Sequence, residues 1–81
     1  MSKLEKRIRQ ALAHPEAIRF DDACAIARAL GFCHEGGRGS HRVFKRPGDP
    51  VQLNFQNRDG CVPAYQGHQL IAMIRKYGEN P

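Results

Sequence analysis

The segment GGRGSHRVFKRPGDPVQLNFQ, residues 36–56, combines one histidine with a run of cations. His41 directly follows Gly39 and Ser40, and an imidazole exchanges protons near neutral pH. Four basic residues lie within nine positions and without an intervening acid: Arg38, Arg42, Lys45 and Arg46. Guanidinium and ammonium groups bind phosphates and stabilise negative charge that develops on them. The residue types therefore suit a site that binds phosphodiesters and has one acid–base group.

RNA offers a single histidine a reaction that needs no metal. The 2′-hydroxyl lies beside the scissile phosphate and attacks it in line once its proton is removed. A histidine can take or return that proton, while neighbouring cations stabilise the extra charge on the phosphorane. DNA lacks this nucleophile. The residues alone leave two interpretations open, a catalytic histidine or an ordinary solvated one, and the solvated role is the commoner for a surface histidine.

Alternation along the segment predicts a hairpin that exposes His41. In VQLNFQ, the residues Val51, Leu53 and Phe55 share one strand face, and three amide side chains share the other. The turn-forming PGDP precedes this strand and closes Arg46 against Val51. The resulting register pairs Phe44 with Leu53, Lys45 with Gln52, Val43 with Asn54, and His41 with Gln56. His41 and Lys45 then lie on an open, polar face.

Arg42 has the opposite parity in this hairpin. It falls on the face of Phe44 and Phe55, where burial of a charge is costly. Two arrangements relieve the conflict: Arg42 lies near the sheet edge and extends its guanidinium to solvent, or a bulge near Ser40 shifts the strand.

Helical periodicity precedes and follows the hairpin. Leu4, Ile8 and Leu12 predict an amphipathic helix that ends near His14, because the following proline disfavours helical geometry there. FDDACAIARALGF predicts a second helix with Asp21 as N-cap and Gly31 as its end. The remaining segments are a strand in FCHEGGRG, a loop in NRDGCVPAYQGH and a last helix in QLIAMIRKYG that ends at Gly78.

The order of elements predicts an α+β fold over one domain, residues 1–81. We expect the order α-α-β-β-β-α, with a three-stranded antiparallel sheet that carries the helices on one face. The other face is left open to solvent and carries His41.

Composition favours a polyanionic partner. Thirteen Lys and Arg against eight Asp and Glu give a formal net charge of +5, which suits nucleic acid better than an anionic membrane. The chain has no apolar run of transmembrane length, and MSKLEKRIRQ lacks the apolar centre of a signal peptide. A cytoplasmic location without membrane contact is therefore expected.

The three cysteines form no Cys-x-x-Cys pair, so we expect reduced thiols and no metal or other cofactor. A metal site built from distant residues is the less favoured alternative, with the candidates Cys33, His34, His41, Cys61 and His68. His34 and His68 are interpreted as solvated or capping residues. Tyr65 is expected to cover a core edge from a loop rather than to stack on a base.

The residues GRGSHRVFKRP and PVQLNFQNRDGCVPAYQGHQLIAMIRKYG resemble the HicA toxin family of bacterial toxin–antitoxin systems, also known as YcfA-like proteins. The family pattern is a helix that ends in Gly plus an aromatic residue, a Gly-Ser-His-x-x-aromatic strand, a second strand and a C-terminal helix. The matching residues are Gly31-Phe32, then Gly39, Ser40, His41 and Phe44, then Leu53, then Leu70, Ile71 and Ile74. The resemblance covers residues 22–78, which makes 21–78 a HicA-like core and 1–20 an additional N-terminal helix.

This resemblance implies a fold like that of a double-stranded-RNA-binding domain, endoribonuclease action on mRNA and neutralisation by a HicB-like antitoxin. His41 matches the catalytic histidine of the family, and Gly39 matches the glycine that lets the preceding turn approach closely. Arg42 stands where many relatives have a second histidine, so the implied mechanism has one. The RNA-binding residues are then expected to be Arg38, Gly39, Ser40, Arg42, Lys45 and Arg46. The alternative function is a non-catalytic RNA-binding module with the same fold.

Overall fold

Two helices pack on one face of a three-stranded antiparallel sheet in the computed structural model, which describes residues 2–78, and the N-terminal helix packs against those two helices. The elements are α1 (Lys3–Ala13), a 3₁₀ turn (Pro15–Ala17), α2 (Phe20–Ala29), β1 (Cys33–Gly36), β2 (His41–Lys45), β3 (Gln52–Gln56) and α3 (Ala64–Met73), which continues as a π-helical turn (Ile74–Gly78). The strand order is β1-β2-β3. The predicted α+β class, the order of elements and the antiparallel sheet are confirmed.

The β2–β3 ladder has the predicted register. The observed pairs are His41–Gln56, Arg42–Phe55, Val43–Asn54, Phe44–Leu53 and Lys45–Gln52. Phe44 and Leu53 are 0% exposed and Phe55 is 1% exposed, so the face that they share is the one covered by helices. The ladder is regular from His41 to Lys45, and the sheet irregularity lies in β1, between His34 and Gly36.

The core lies between this sheet face and the helices. α2 contributes Ile26 and Ala27, α3 contributes Leu70, and all three are fully buried. Burial of such side chains contributes about 25 cal/mol per Å² of apolar surface removed from water, and it is the main stabilising term in a domain of this size. The helices therefore position the sheet mainly through apolar packing.

α1 ends at Ala13 with His14 as C-cap, as the sequence predicts. Its start is fixed by a capping box: the Ser2 hydroxyl accepts from the Glu5 backbone N–H at 3.1 Å, and the Glu5 carboxylate accepts from Ser2 N at 3.3 Å. The backbone N–H groups of Ser2 and Glu5 thus both have acceptors, which stabilises the first turn of the helix.

α2 begins at Phe20, whereas a helix with Asp21 as its N-cap would begin at Asp22. The prediction of Asp21 as N-cap is therefore wrong. The N-cap residue is Arg19, without a side-chain bond, and Asp21 lies in the first turn. A tertiary contact explains the earlier start. The Phe20 N–H has no acceptor within the helix, and it donates to the carbonyl oxygen of Gly60, in a loop, at 2.9 Å. Gly31 does end the helix, with φ at +92°.

α3 begins at Ala64, so the prediction of a loop through His68 is wrong for residues 64–68. Gly67 lies directly against the Pro15 carbonyl oxygen, where a Cβ atom would clash with it. Buried Gln66 also anchors this turn, because its Oε1 accepts from Gln56 N at 2.8 Å. Gly67, which weakens the helical pattern in the sequence, therefore permits this close contact between α3 and the 3₁₀ turn.

Residues ahead of α2 belong to the same core as the sheet. Ala11 and Ile18 are buried, and Val62 N donates to the carbonyl oxygen of Ile18 at 2.9 Å. With the Phe20–Gly60 bond described above, this contact fastens the N-terminal segment to the loop that follows β3.

The turn between β2 and β3 is fastened to the C-terminal helix through Asp49. Its carboxylate accepts hydrogen bonds from the Tyr77 hydroxyl, from Val51 N at 2.9 Å and from Lys76 Nζ at 3.0 Å. The Arg46 guanidinium lies 3.8 Å from the Tyr77 ring centroid and donates to the Leu30 carbonyl oxygen. The hydrogen bond from Tyr77, followed by those from Val51 and Lys76, lowers the Asp49 pKa from 3.8 to about 2.

This depressed pKa predicts an acid-dependent loss of stability. The contribution of Asp49 is present above the unfolded pKa of about 4 and is lost as the pH falls toward 2, since the unfolded chain binds the proton first. Urea unfolding of the wild type and Asp49→Asn between pH 5 and pH 2 should therefore show a difference in unfolding free energy that shrinks with falling pH. Asp59→Asn, at an exposed turn residue, is the control. A constant difference between wild type and Asp49→Asn would contradict the account.

Candidate nucleic-acid interface

The sheet face opposite the helices is polar and carries His41. Because Phe44, Leu53 and Phe55 face the helices, strand residues of the other parity point away from them. The open face carries Cys33, Gly36, His41, Val43, Lys45, Gln52, Asn54 and Gln56. The β2 and β3 residues of this set carry no acid, while Glu35, exposed at the irregularity of β1, lines one depression with Cys33 and Lys45. A polyanion therefore meets no carboxylate at the His41 end of β2 and one carboxylate near Lys45.

His41 lies at the first position of β2, with its side chain exposed. Asn57 N donates to the Ser40 carbonyl oxygen at 2.8 Å, which makes Ser40 and Asn57 a hydrogen-bonded pair. Pairs alternate along an antiparallel ladder, so His41 and Gln56 form a non-hydrogen-bonded pair, the kind whose side chains approach most closely. The bond from Gln56 N to Gln66 agrees with this assignment, because it directs that N–H away from β2.

The turn ahead of His41 depends on two glycines in different ways. Gly39 has φ at +61° and Ser40 does not have a positive φ, which fits the first central position of a type II′ turn, closed by His41 N to the Arg38 carbonyl oxygen at 3.1 Å. A Cβ on Gly39 would meet nothing within 4 Å. On Gly37, at φ +84°, a Cβ would lie 2.5 Å from the His41 carbonyl oxygen. The close approach expected of Gly39 is therefore made by Gly37.

The four predicted cations divide between the two faces of the sheet. Arg42 is half-buried on the helix side, with its guanidinium carbon 5.7 Å from the Phe20 ring centroid. Neither arrangement considered for it is observed as predicted, because β2 is the central strand and has no bulge near Ser40; the guanidinium is accommodated over the Phe20 ring instead. Arg46 is engaged by Leu30 and Tyr77, as described above. Neither guanidinium joins the open face.

Lys45 and Arg38 remain available to the open face. Lys45 is exposed there, four positions from His41 and thus about 13 Å along the strand. Arg38 is exposed at the start of the turn, and Ser40 is exposed within it. The structure therefore brings Arg38, Gly39, Ser40 and His41 together at one end of β2 and leaves Lys45 at the other.

Arg58 is a cation that the sequence analysis missed. Its Nη2 lies 3.4 Å from Oε1 of Gln56, the residue paired with His41. Two features of the sequence could have indicated it. Arg58 lies two residues after Gln56, so its side chain is expected on the same side of the sheet as that of Gln56. The Asp-Gly dipeptide after Arg58 favours a tight turn, which holds Arg58 beside the strand.

The other candidate residues lie elsewhere. The His34 ring packs against Phe44, at 5.5 Å between centroids, and so belongs to the helix side. His68 and Tyr65 are exposed on α3, where Tyr65 at 62% exposure does not cover the core edge as expected. Within residues 2–78, no three His, Cys, Asp or Glu side chains are grouped so that they could hold a metal.

Among the cysteines, Cys24 is buried, and burial raises the pKa of its thiol. Cys33 is exposed on the open face, and Cys61 is half-buried. All three are free thiols, as expected.

Comparison of the chain with protein-family models, with curated proteins and with solved structures finds no match. No helix in residues 2–78 combines the length and apolar character needed to cross a membrane.

The geometry of the turn predicts unequal effects of alanine at three neighbouring glycines. Gly36→Ala should change the unfolding free energy by less than about 0.5 kcal/mol, because its Cβ meets open space without a positive φ. Gly39→Ala should cost about 1 kcal/mol for its positive φ alone. Gly37→Ala should cost at least about 1 kcal/mol more, because overlap with the His41 backbone adds to the strain.

Urea unfolding measures these three values, and NMR shifts of the His41 backbone amide report displacement of β2. A larger cost at Gly39 than at Gly37 would show that the close approach to His41 does not constrain the turn.

Proposed function

We propose that this protein is a HicA-like toxin, an endoribonuclease that cleaves mRNA without a metal and uses His41 as general base and acid. The observation that carries the proposal is the position of His41, exposed at the end of a polar sheet face behind a Gly-Ser turn. The resemblance in Gly39, Ser40 and His41 supports the same assignment. Action on mRNA implies a cytoplasmic site of action.

The proposed step moves one proton and exchanges one phosphorus–oxygen bond. The His41 imidazole takes the proton of the 2′-hydroxyl, and the 2′ oxygen forms a bond to phosphorus. The bond from phosphorus to the 5′ oxygen breaks, and the imidazolium returns its proton to that oxygen. The products are a 2′,3′-cyclic phosphate and a 5′-hydroxyl. Cations near His41 stabilise the charge on the phosphorane.

The same face supports the proposed neutralisation by a HicB-like antitoxin. His41 and Lys45 are exposed along one strand, and the other β2 and β3 residues on their face are neutral. A partner that covers His41 and presents carboxylates to Lys45 and Arg38 would block RNA and gain electrostatic complementarity. The surface needed is that of an ordinary protein interface.

One observation favours the alternative of a non-catalytic RNA-binding module. Within residues 2–78, the His41 imidazole makes no hydrogen bond or ion pair that would fix its orientation. Catalytic bases are commonly oriented by a third group. Binding without cleavage would then rest on phosphate contacts and would weaken steeply with salt.

Cleavage assays with single-stranded RNA in EDTA test the proposal. We expect the wild type to cut and His41→Ala to cut more slowly by roughly a hundredfold or more, because the proton acceptor is lost. His68→Ala removes an exposed histidine on α3 and should cut as the wild type does. A substrate with 2′-deoxy at the cut position should not be cleaved, since it lacks the nucleophile.

Three results would count against this function. Equal rates for His41→Ala and the wild type would remove His41 from the mechanism. Loss of cleavage in EDTA would contradict the metal-free step. Salt-sensitive RNA binding without a product would favour the binding module.

A further inference from the structure

At the end of the β2–β3 ladder, a guanidinium lies next to the residue that pairs with His41. His41 and Gln56 form a close cross-strand pair on the open face, and Nη2 of Arg58 lies 3.4 Å from Oε1 of Gln56. These three residues come from two strands and a turn, and the pairing places all three at the same end of the ladder. A ligand that lies over His41 and Gln56 therefore has Arg58 as a neighbouring cation, in addition to Arg38 of the turn ahead of His41.

The backbone of Arg58 is held by a two-residue turn. Arg58 N donates to the Cys61 carbonyl oxygen at 2.8 Å, and Cys61 N donates to the Arg58 carbonyl oxygen at 3.1 Å. Asp59 and Gly60 between them have φ at 52° and 93°, the pair of positive values that a type I′ turn requires. Gly60 N also donates to Asn57 Oδ1 at 2.8 Å. This turn fixes where the Arg58 side chain begins.

The charge of Arg58 is available to a ligand. Its side chain is exposed, and its contact in residues 2–78 is the neutral amide of Gln56 rather than a carboxylate. A guanidinium has five N–H donors, so a single bond to Gln56 leaves most of them free. By contrast, Arg42 lies over Phe20, and Arg46 is engaged by Leu30 and Tyr77.

We infer that Arg58 and His41 bind one backbone phosphate of the RNA between them, and that Gln56 positions the Arg58 guanidinium. Arginine binds phosphate oxygens through two parallel hydrogen bonds, which would place the phosphorus in a fixed orientation. His41 would then face the 2′-hydroxyl of the same linkage. The inference rests on the proposed function for its ligand, and it assigns to Arg58 the stabilisation of phosphorane charge.

Binding of an uncleavable oligonucleotide tests this site separately from catalysis. A fluorescent RNA with 2′-deoxy at every position near the cut is titrated by anisotropy at several salt concentrations. Arg58→Ala should weaken binding about tenfold and reduce the salt slope by about one phosphate contact. Arg9→Ala removes an equal charge from an exposed position on α1 and should weaken binding less than about twofold. Circular dichroism confirms that each variant is folded.

Two further variants separate orientation from charge. Arg58→Lys keeps the charge but loses the planar fork, so it should restore only part of the affinity. Gln56→Ala should weaken binding about threefold in the wild type and have no effect in Arg58→Ala, because it acts through the guanidinium. A purely structural role of Gln56 would give the same loss in both backgrounds and would overturn its positioning role.

The outcomes distinguish this inference from the proposed function. Equal affinities of Arg58→Ala and Arg9→Ala would overturn the phosphate site, even if the wild type cleaves RNA. A selective loss in Arg58→Ala would establish the site, even if the wild type cleaves nothing and the nuclease proposal fails.

Discussion

The register between β2 and β3 is the constraint on which the rest of the structure depends. Side chains alternate along each strand, so a slip of β2 by one residue would move Phe44 into solvent, away from Leu53, and turn His41 toward the helices. Burial of that apolar pair therefore selects one register among the alternatives, and the same choice exposes His41. The site and the core are two consequences of one pairing.

The sequence predicts this hairpin because its information is local. Period-two alternation in VQLNFQ and the turn-forming PGDP are enough to set the strand, its faces and its partner. The starts of α2 and α3 depend instead on distant groups: Phe20 bonds the Gly60 carbonyl oxygen, and Gly67 contacts Pro15. A local pattern cannot reveal a cap supplied by another part of the chain, and an internal glycine weakens a helical pattern.

The candidate site shows the same division between local and distant information. Arg42 and Arg46 are close to His41 in sequence, yet strand parity and the Tyr77 contact direct them toward the helices. Arg58 is distant from His41 in sequence, and the ladder places it next to Gln56, the residue that pairs with His41. A cluster of cations in a sequence thus indicates a positively charged region, while strand parity decides which members share a surface.

The two ends of the hairpin have different roles, and the difference follows from what each end contacts. At the turn end, Asp49 and Arg46 are bonded to Tyr77 and Leu30, so their charges contribute to the fold. At the other end, the backbone is held by the Gln56–Gln66 bond and by the turns, while the side chains of His41 and Arg58 extend into solvent. Because the side chains of His41 and Arg58 take no part in these contacts, they are free to bind a ligand without a cost to the core.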